Sequence, residues 1–235
     1  MSIRACFALV SFACVFGSAD ATERTRKCYQ KMSRKFVKEM FEETGIVPTK
    51  IPKAPLDRAE IFYKSGVRQD LGVELTPTQV KDEPLATWPT DGKDDTLYTL
   101  AFFDFLSDQA YIDNPNLFER FPHALVVNIK GNNVHEGDYI MEYFGSGPRE
   151  GYRSRYTFLI YKQAGPIDTS KYPKIAKDTT CGRPQFDWQK FHDDNSLGDP
   201  VAGNFYHCEY DDYVLELRAG LVDRDIMLAG NCPNQ

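Results

Sequence analysis

Asp104, His123, Tyr156 and Tyr206, with the run Gly145-Ser146-Gly147-Pro148, offer a carboxylate, an imidazole, phenols and close backbone groups, types that can contact a small polar or anionic ligand. A phosphate-type group needs several donors converging on it, from backbone N–H groups, hydroxyls or imidazoles. Gly145 and Gly147 can bring backbone N–H groups to close range because glycine has no side chain. Tyr206 and His123 carry side-chain donors. Asp104 can orient His123 or bind an ammonium, but a carboxylate facing a phosphate must be offset by donors. An imidazole of ordinary pKa loses its proton around pH 6–7, so anion affinity resting on His123 is expected to fall there. Each residue also has a plainer reading. His123 fits a satisfied structural histidine, Asp104 a turn cap, Tyr206 a core tyrosine with a bonded hydroxyl, and the glycine-proline run a simple tight turn.

Other chemistries find less in the sequence. Ser146 is not a nucleophile elbow, because Phe144 and Pro148 stand where that motif places its outer glycines. His135-Glu136 lacks a second histidine four residues after the first, so it is not a zinc-protease helix. His207 and Glu209 share a strand face by alternation, which is thin support for a metal. Arg149, Glu150, Arg153 and Arg155 read as a solvated loop. With no triad and no metal motif, the expectation is a non-enzymatic protein without cofactor or metal.

Mostly strands are expected to position these residues. Residues 60–63, 73–75, 97–103, 125–129 and 156–161 are rich in β-branched and aromatic side chains and are separated by turn residues. Helical spacing appears at 23–43, with Met32, Phe36, Met40 and Phe41 near one face, and again at 187–193 and 211–228. Gly45, Pro48, Pro52 and Pro55 end the first of these. The pattern predicts one mostly β domain with peripheral helices, the first acting as a packing lid.

The 235 residues, 42% hydrophobic and 26% charged, suffice for one sizeable core. A net charge of −6 argues against a general nucleic-acid binder, although basic residues crowd positions 24–38. Residues 1–21 read as a secretory signal: Arg4, a short apolar stretch over 5–16, then Ala19-Asp20-Ala21. The mature chain is expected to start near Thr22. No later run is long and apolar enough for a transmembrane segment. Beyond the signal remain Cys28, Cys181, Cys208 and Cys232, an even number that predicts two disulfides in an oxidising compartment, with three pairings open. Pairing Cys28 with Cys232 is only a guess from their places near the chain ends. No Asn-x-Ser/Thr acceptor occurs.

Gly45-Ile46-Val47-Pro48, Leu75-Thr76-Pro77, Leu97-Tyr98-Thr99-Leu100, Phe144-Gly145-Ser146-Gly147-Pro148 and Leu197-Gly198-Asp199-Pro200-Val201-Ala202-Gly203 follow one another in order, with Glu209-Tyr210-Asp211-Asp212-Tyr213 after them. Together they resemble the phosphatidylethanolamine-binding protein family over nearly all of the mature chain. The resemblance implies an antiparallel β-sheet sandwich with peripheral helices. The chain is expected to divide into a signal (1–21), a helical extension and lead-in (22–58) and the domain itself (59–235). The resemblance also implies that Asp104, His123, Gly145, Gly147, Pro148, Tyr156 and Tyr206 line one ligand pocket. Leu106 stands where the family has a second acid, and Ser154 where it has a histidine. Phe121-Pro122-His123 keeps one histidine of two. A smaller or more apolar pocket with weaker anion affinity is expected. The implied function is a secreted binding protein for a small anionic or amphipathic ligand, such as a phospholipid headgroup. The alternative is a protein-interaction module with a vestigial pocket, a peptidase inhibitor or signalling modulator.

Overall fold

The computed structural model describes residues 32–92, 95–105, 113 and 120–223, and the statements below concern those. The chain divides into Met1–Gln30 and Lys31–Gln235, and everything described belongs to the second unit. The signal, Cys28, Leu106 and Cys232 lie outside the described residues.

The runs of β-branched and aromatic residues form the long strands: β6 (Leu97–Phe105), β7 (Arg120–Lys130) and β9 (Ser154–Lys162), joined by β8 (Asp138–Met141) and β10 (Ala202–Cys208). Shorter strands precede them: β1 (Asp57–Arg58), β2 (Glu60–Phe62), β3 (Arg68–Gln69), β4 (Val73–Glu74) and β5 (Leu85–Thr87). The large sheet runs β1-β10-β9-β6-β7-β8, with β4 also paired to β10, and a small sheet runs β3-β2-β5. The neighbours from β10 to β8 are antiparallel, but β1 and β4 pair with β10 in parallel. The mostly β fold expected from sequence is therefore present, with a mixed rather than purely antiparallel sheet. Long stretches of chain separate β1 and β4 from β10, which permits parallel pairing that no tight hairpin could make.

Alternation along the strands sorts the side chains into two cores. Ala101, Phe103, Phe105, Leu125, Val127, Leu159, Tyr161 and Phe205 share one cluster with residues of two helices, α1 (Arg34–Glu43) and α2 (Trp188–Asp194). Tyr98, Leu100, Phe102, Val126, Phe158, Ile160 and Tyr206 share the other with Ile61, Ala86 and Trp88 from in and around the small sheet. The large sheet is thus covered on both faces, by helices on one and by the small sheet on the other.

The Ser33 hydroxyl caps α1 by accepting from Phe36 N at 3.2 Å, and Gly45 follows the helix at φ +68°, a conformation that glycine takes at little cost. Its buried face is Val37 and Phe41, the latter edge-on to Phe205 at 5.0 Å. Phe36, expected on that face, is 44% exposed, because helical spacing from Phe41 selects Val37 instead. A third helix, α3 (Tyr213–Ala219), is shorter than the 211–228 pattern and closes at Gly220.

Asn204 ties the parallel edge together. Its Oδ1 accepts from Leu71 N and Phe205 N, both at 2.9 Å, and its Nδ2 donates to Ala59 O at 2.7 Å and Gln69 O at 3.1 Å. The side chain is fully buried. Asn204→Ala should leave those backbone groups unpaired and lower stability by roughly 2–4 kcal/mol. Chemical denaturation checks this, and a loss below roughly 0.5 kcal/mol would show that the network contributes little.

The cysteine expectation needs correction. Cys208 is a free thiol, buried in the core that faces the small sheet, with its Sγ 3.6 Å from Glu209 O. Strand parity puts it inward beside Tyr206's neighbours rather than at the surface, so it belongs to the packing and not to a second disulfide. Cys181 is disulfide-bonded, to a partner outside the described residues.

Candidate functional site

Strand register builds the site. Asp104 on β6 lies opposite Tyr156 on β9, and Tyr156 lies opposite Tyr206 on β10. Three side chains from adjacent strands therefore form one row on the face toward the small sheet. The rings of Tyr156 and Tyr206 stack at 5.3 Å, and Tyr63 meets Tyr206 edge-on at 6.2 Å.

His123 joins this row through a bulge. Phe102 pairs with Ala124 while Phe103 pairs with Pro122, which leaves His123 as an extra residue in β7. Ala124 packs in the same core as Phe102 and Tyr156, and the imidazole reaches both rings, at 5.3 and 5.2 Å. Pro122 has no N–H to give the ladder, and a bulge is where a strand tolerates that. His123 is thus inside a strand, not ahead of one.

The segment after β8 seals the row. Phe144 N donates to His123 O at 2.8 Å, Gly147 N donates to Tyr156 Oη at 3.2 Å, and the hydroxyls of Ser146 and Tyr206 are hydrogen-bonded. A Cβ on Gly145 would come within 3.3 Å of Lys81 O, and one on Gly147 within 3.1 Å of Leu217 Cδ2, so side chains there would push the segment off its neighbours. Pro148 is buried beside them. Asp104 is 6% exposed, His123 3%, and Ser146, Tyr156 and Tyr206 0%. The side chains of Asp104, His123, Ser146, Tyr156 and Tyr206 are therefore closed off from solvent among the described residues.

The electrostatics differ from the sequence expectation. Burial lowers the His123 pKa to about 3, against the opposing hydrogen bond to Phe144, so the ring is neutral at physiological pH. Its Nδ1 lies 2.8 Å from Phe144 O, a carbonyl that can only accept, so Nδ1 carries the proton and Nε2 is a bare acceptor. His123 therefore does not lose a proton near pH 6–7, and it does not pair with Asp104. The group that titrates in that range is Asp104, whose pKa burial raises to about 7 against hydrogen bonds from Tyr156 and Ser154 and the charge of Arg155. Ser154, at the position where the family places an imidazole, thus supports Asp104 directly. Among the described residues Asp104 Oδ1 has no hydrogen-bond partner. Burial also pushes the phenols of Tyr63, Tyr143, Tyr156 and Tyr206 well above their usual range, so they stay neutral donors.

The structure brings together Asp104, His123, Gly147, Tyr156 and Tyr206, with Gly145 and Pro148 alongside. Sequence reasoning missed Ser146 as a bonded member, Phe102 as the floor stacked on Phe158 at 4.0 Å, and Arg183 behind the site. Arg183 donates to the carbonyls of Pro122, His123, Glu142, Ala176 and Thr179 and lies 5.4 Å over the Phe144 ring.

No family model matches the chain. Individual proteins do. A Drosophila melanogaster protein named odorant-binding protein A5 is 29% identical over 88% of this chain and 91% of its own length. A 26 kDa secreted antigen of Toxocara canis is 32% identical over 72% of this chain, which spans 63% of that protein. Among solved structures, the solution structure of CG7054 is 34% identical, covers 75% of this chain and 98% of its own, and superposes with a TM-score of 0.58. A carboxypeptidase Y inhibitor in complex with its proteinase (23% identical, 76% and 97% covered, TM-score 0.60) shares the fold. So does a phosphatidylethanolamine-binding protein from Plasmodium vivax (17% identical, 74% and 97% covered, TM-score 0.53).

Proposed function

The chain belongs to the phosphatidylethanolamine-binding protein family, and we propose that it is a secreted, non-enzymatic binding protein that holds the polar end of a small amphipathic or anionic ligand at the Asp104–His123–Tyr156–Tyr206 cluster. One observation carries this reading: the buried Asp104 Oδ1 has no partner among the described residues, although the Tyr156 and Tyr206 hydroxyls of the same row are bonded. An unpaired buried carboxyl oxygen costs stability, and a donor from a ligand, or an acceptor facing the protonated acid, would relieve that cost. His123 Nε2, in the same cluster, offers an acceptor. No cation lies in the row itself, so a phosphate-type group would be held by neutral donors and bound weakly. The names of the two relatives, odorant-binding protein and secreted antigen, support a ligand-binding role outside the cell, as does the signal-like segment at 1–21.

The test is calorimetric titration of the secreted chain with phosphoethanolamine, ethanolamine and inorganic phosphate in parallel. Phosphoethanolamine should bind, and Tyr206→Phe, which removes only the hydroxyl bonded to Ser146, should weaken it about tenfold. Ethanolamine competing alone would assign recognition to Asp104; phosphate competing alone would assign it to the hydroxyls. A second reading, a protein-interaction module such as a peptidase inhibitor, is favoured by the near-complete burial of the cluster. It gains if none of the three ligands binds and native mass spectrometry of the secreted protein finds no lipid.

A further inference from the structure

Against the Tyr143–Gly145 segment lies a cavity of about 710 Å³, lined by that segment, residues 81–83, residues 177–178 and α3 and by none of Asp104, His123, Tyr156 and Tyr206. This is within the range of small-molecule sites. Its apolar walls are Tyr139, Tyr143, Phe144, Tyr213 and Leu217. Its charged lining is unbalanced: Asp82, Glu83, Glu142, Asp178 and Glu216 stand against Lys81 and Lys177. Among the described residues none of those five carboxylates forms a salt bridge. Glu83 accepts only the Tyr139 hydroxyl at 2.9 Å, and Glu142 the backbone N of Lys177 at 3.0 Å.

We propose that this cavity is a binding site for a small organic cation with an apolar body, an amine or quaternary ammonium, separate from the Asp104 cluster. The aromatic walls give the apolar body a surface, and uncompensated carboxylates give the cation its counter-charge. An aromatic face attracts a cation through its quadrupole. Tyr213 already shows this, with the Lys81 ammonium 5.8 Å from its ring centroid. The tyrosines register the same field. After burial, the main causes raising the Tyr139 phenol are Glu83 and Glu142, and those raising Tyr213 are Asp82 and Glu216. An anion of the same size meets like charge on most of the rim. Since the carboxylates are exposed, they need not be desolvated before the ligand arrives.

The matched probes are hexyltrimethylammonium and hexyl sulfate, which share an apolar chain and differ in sign. Titrated into the secreted chain at low salt, the ammonium should bind at least tenfold more tightly than the sulfate, and its affinity should fall as salt is added. The double variant Glu83→Gln with Glu142→Gln should weaken the ammonium about tenfold, and Tyr213→Ala should weaken it independently. Both glutamates are exposed, so the double variant should keep the wild-type melting temperature and the wild-type response to phosphoethanolamine. Equal or tighter binding of hexyl sulfate would overturn the proposal. So would undiminished ammonium binding in the double variant.

Discussion

Arg183→Met should destabilise the protein by roughly 3–5 kcal/mol, the range for removing one partner from a buried charged network. The guanidinium is fully buried and donates to five carbonyls from three stretches of chain. Two are in the β7 bulge, at Pro122 and His123. One is at Glu142, where the site-sealing segment begins, and the last two are at Ala176 and Thr179. Burial lowers the Arg183 pKa to about 10, opposed by Glu142 and Asp223, so the charge persists at neutral pH. Methionine fills much of the volume but donates to none of the five carbonyls, of which His123 O and Ala176 O keep a backbone partner. Arg183→Lys should recover little, because one ammonium cannot span acceptors that a planar fork reaches in several directions. Urea denaturation of both variants measures the loss. A change below about 1 kcal/mol in the methionine variant would mean that water or other donors replace the guanidinium.

Arg183 also marks where the sequence stops being legible. An isolated arginine between glycine and proline reads as surface, and nothing in its spacing announces acceptors sixty residues away. The long strands were readable because alternation and aromatic content run uninterrupted through β6 and β9. β7 was readable only from Leu125 onward, since Pro122 breaks the pattern and a bulge cannot be read from periodicity. β10 carries Gly203 and Asn204, which resemble loop residues. Their reasons are tertiary: a Cβ at Gly203 would sit 2.6 Å from Pro55 Cγ, and Asn204 is buried by the groups it bonds. The candidate site residues were chosen by type and by order along the chain, and register places three of them, Asp104, Tyr156 and Tyr206, in one row. Their protonation was not legible, because it depends on burial and on which carbonyl His123 reaches.

That protonation gives the second large effect. Asp104 has a folded pKa of about 7 against an ordinary 3.8. The folded state therefore holds a proton that the unfolded chain releases, so this group's contribution is fully present below pH 3.8 and is lost as pH rises through 7. His123 runs the other way, from 6.5 down to about 3 when folded. Its contribution is present above pH 6.5 and is lost as pH falls toward 3. Each is worth at most about 4–5 kcal/mol. Between about pH 4 and 6.5 the two slopes oppose, and these groups together should leave wild-type stability nearly flat. The single variants should separate them. Asp104→Asn should gain stability as pH rises from 4 to 6.5 and should exceed wild type at pH 8, where the buried carboxylate is charged. His123→Gln should lose stability over the same rise. Urea denaturation of the three proteins at intervals from pH 4 to 8 reads both slopes. Parallel profiles for the two variants would show that neither group is buried in the protonation state assigned to it. The same titration reaches the ligand: a protonated Asp104 donates and a charged one repels, so phosphoethanolamine binding through its phosphate should weaken above pH 7 in wild type and not in Asp104→Asn.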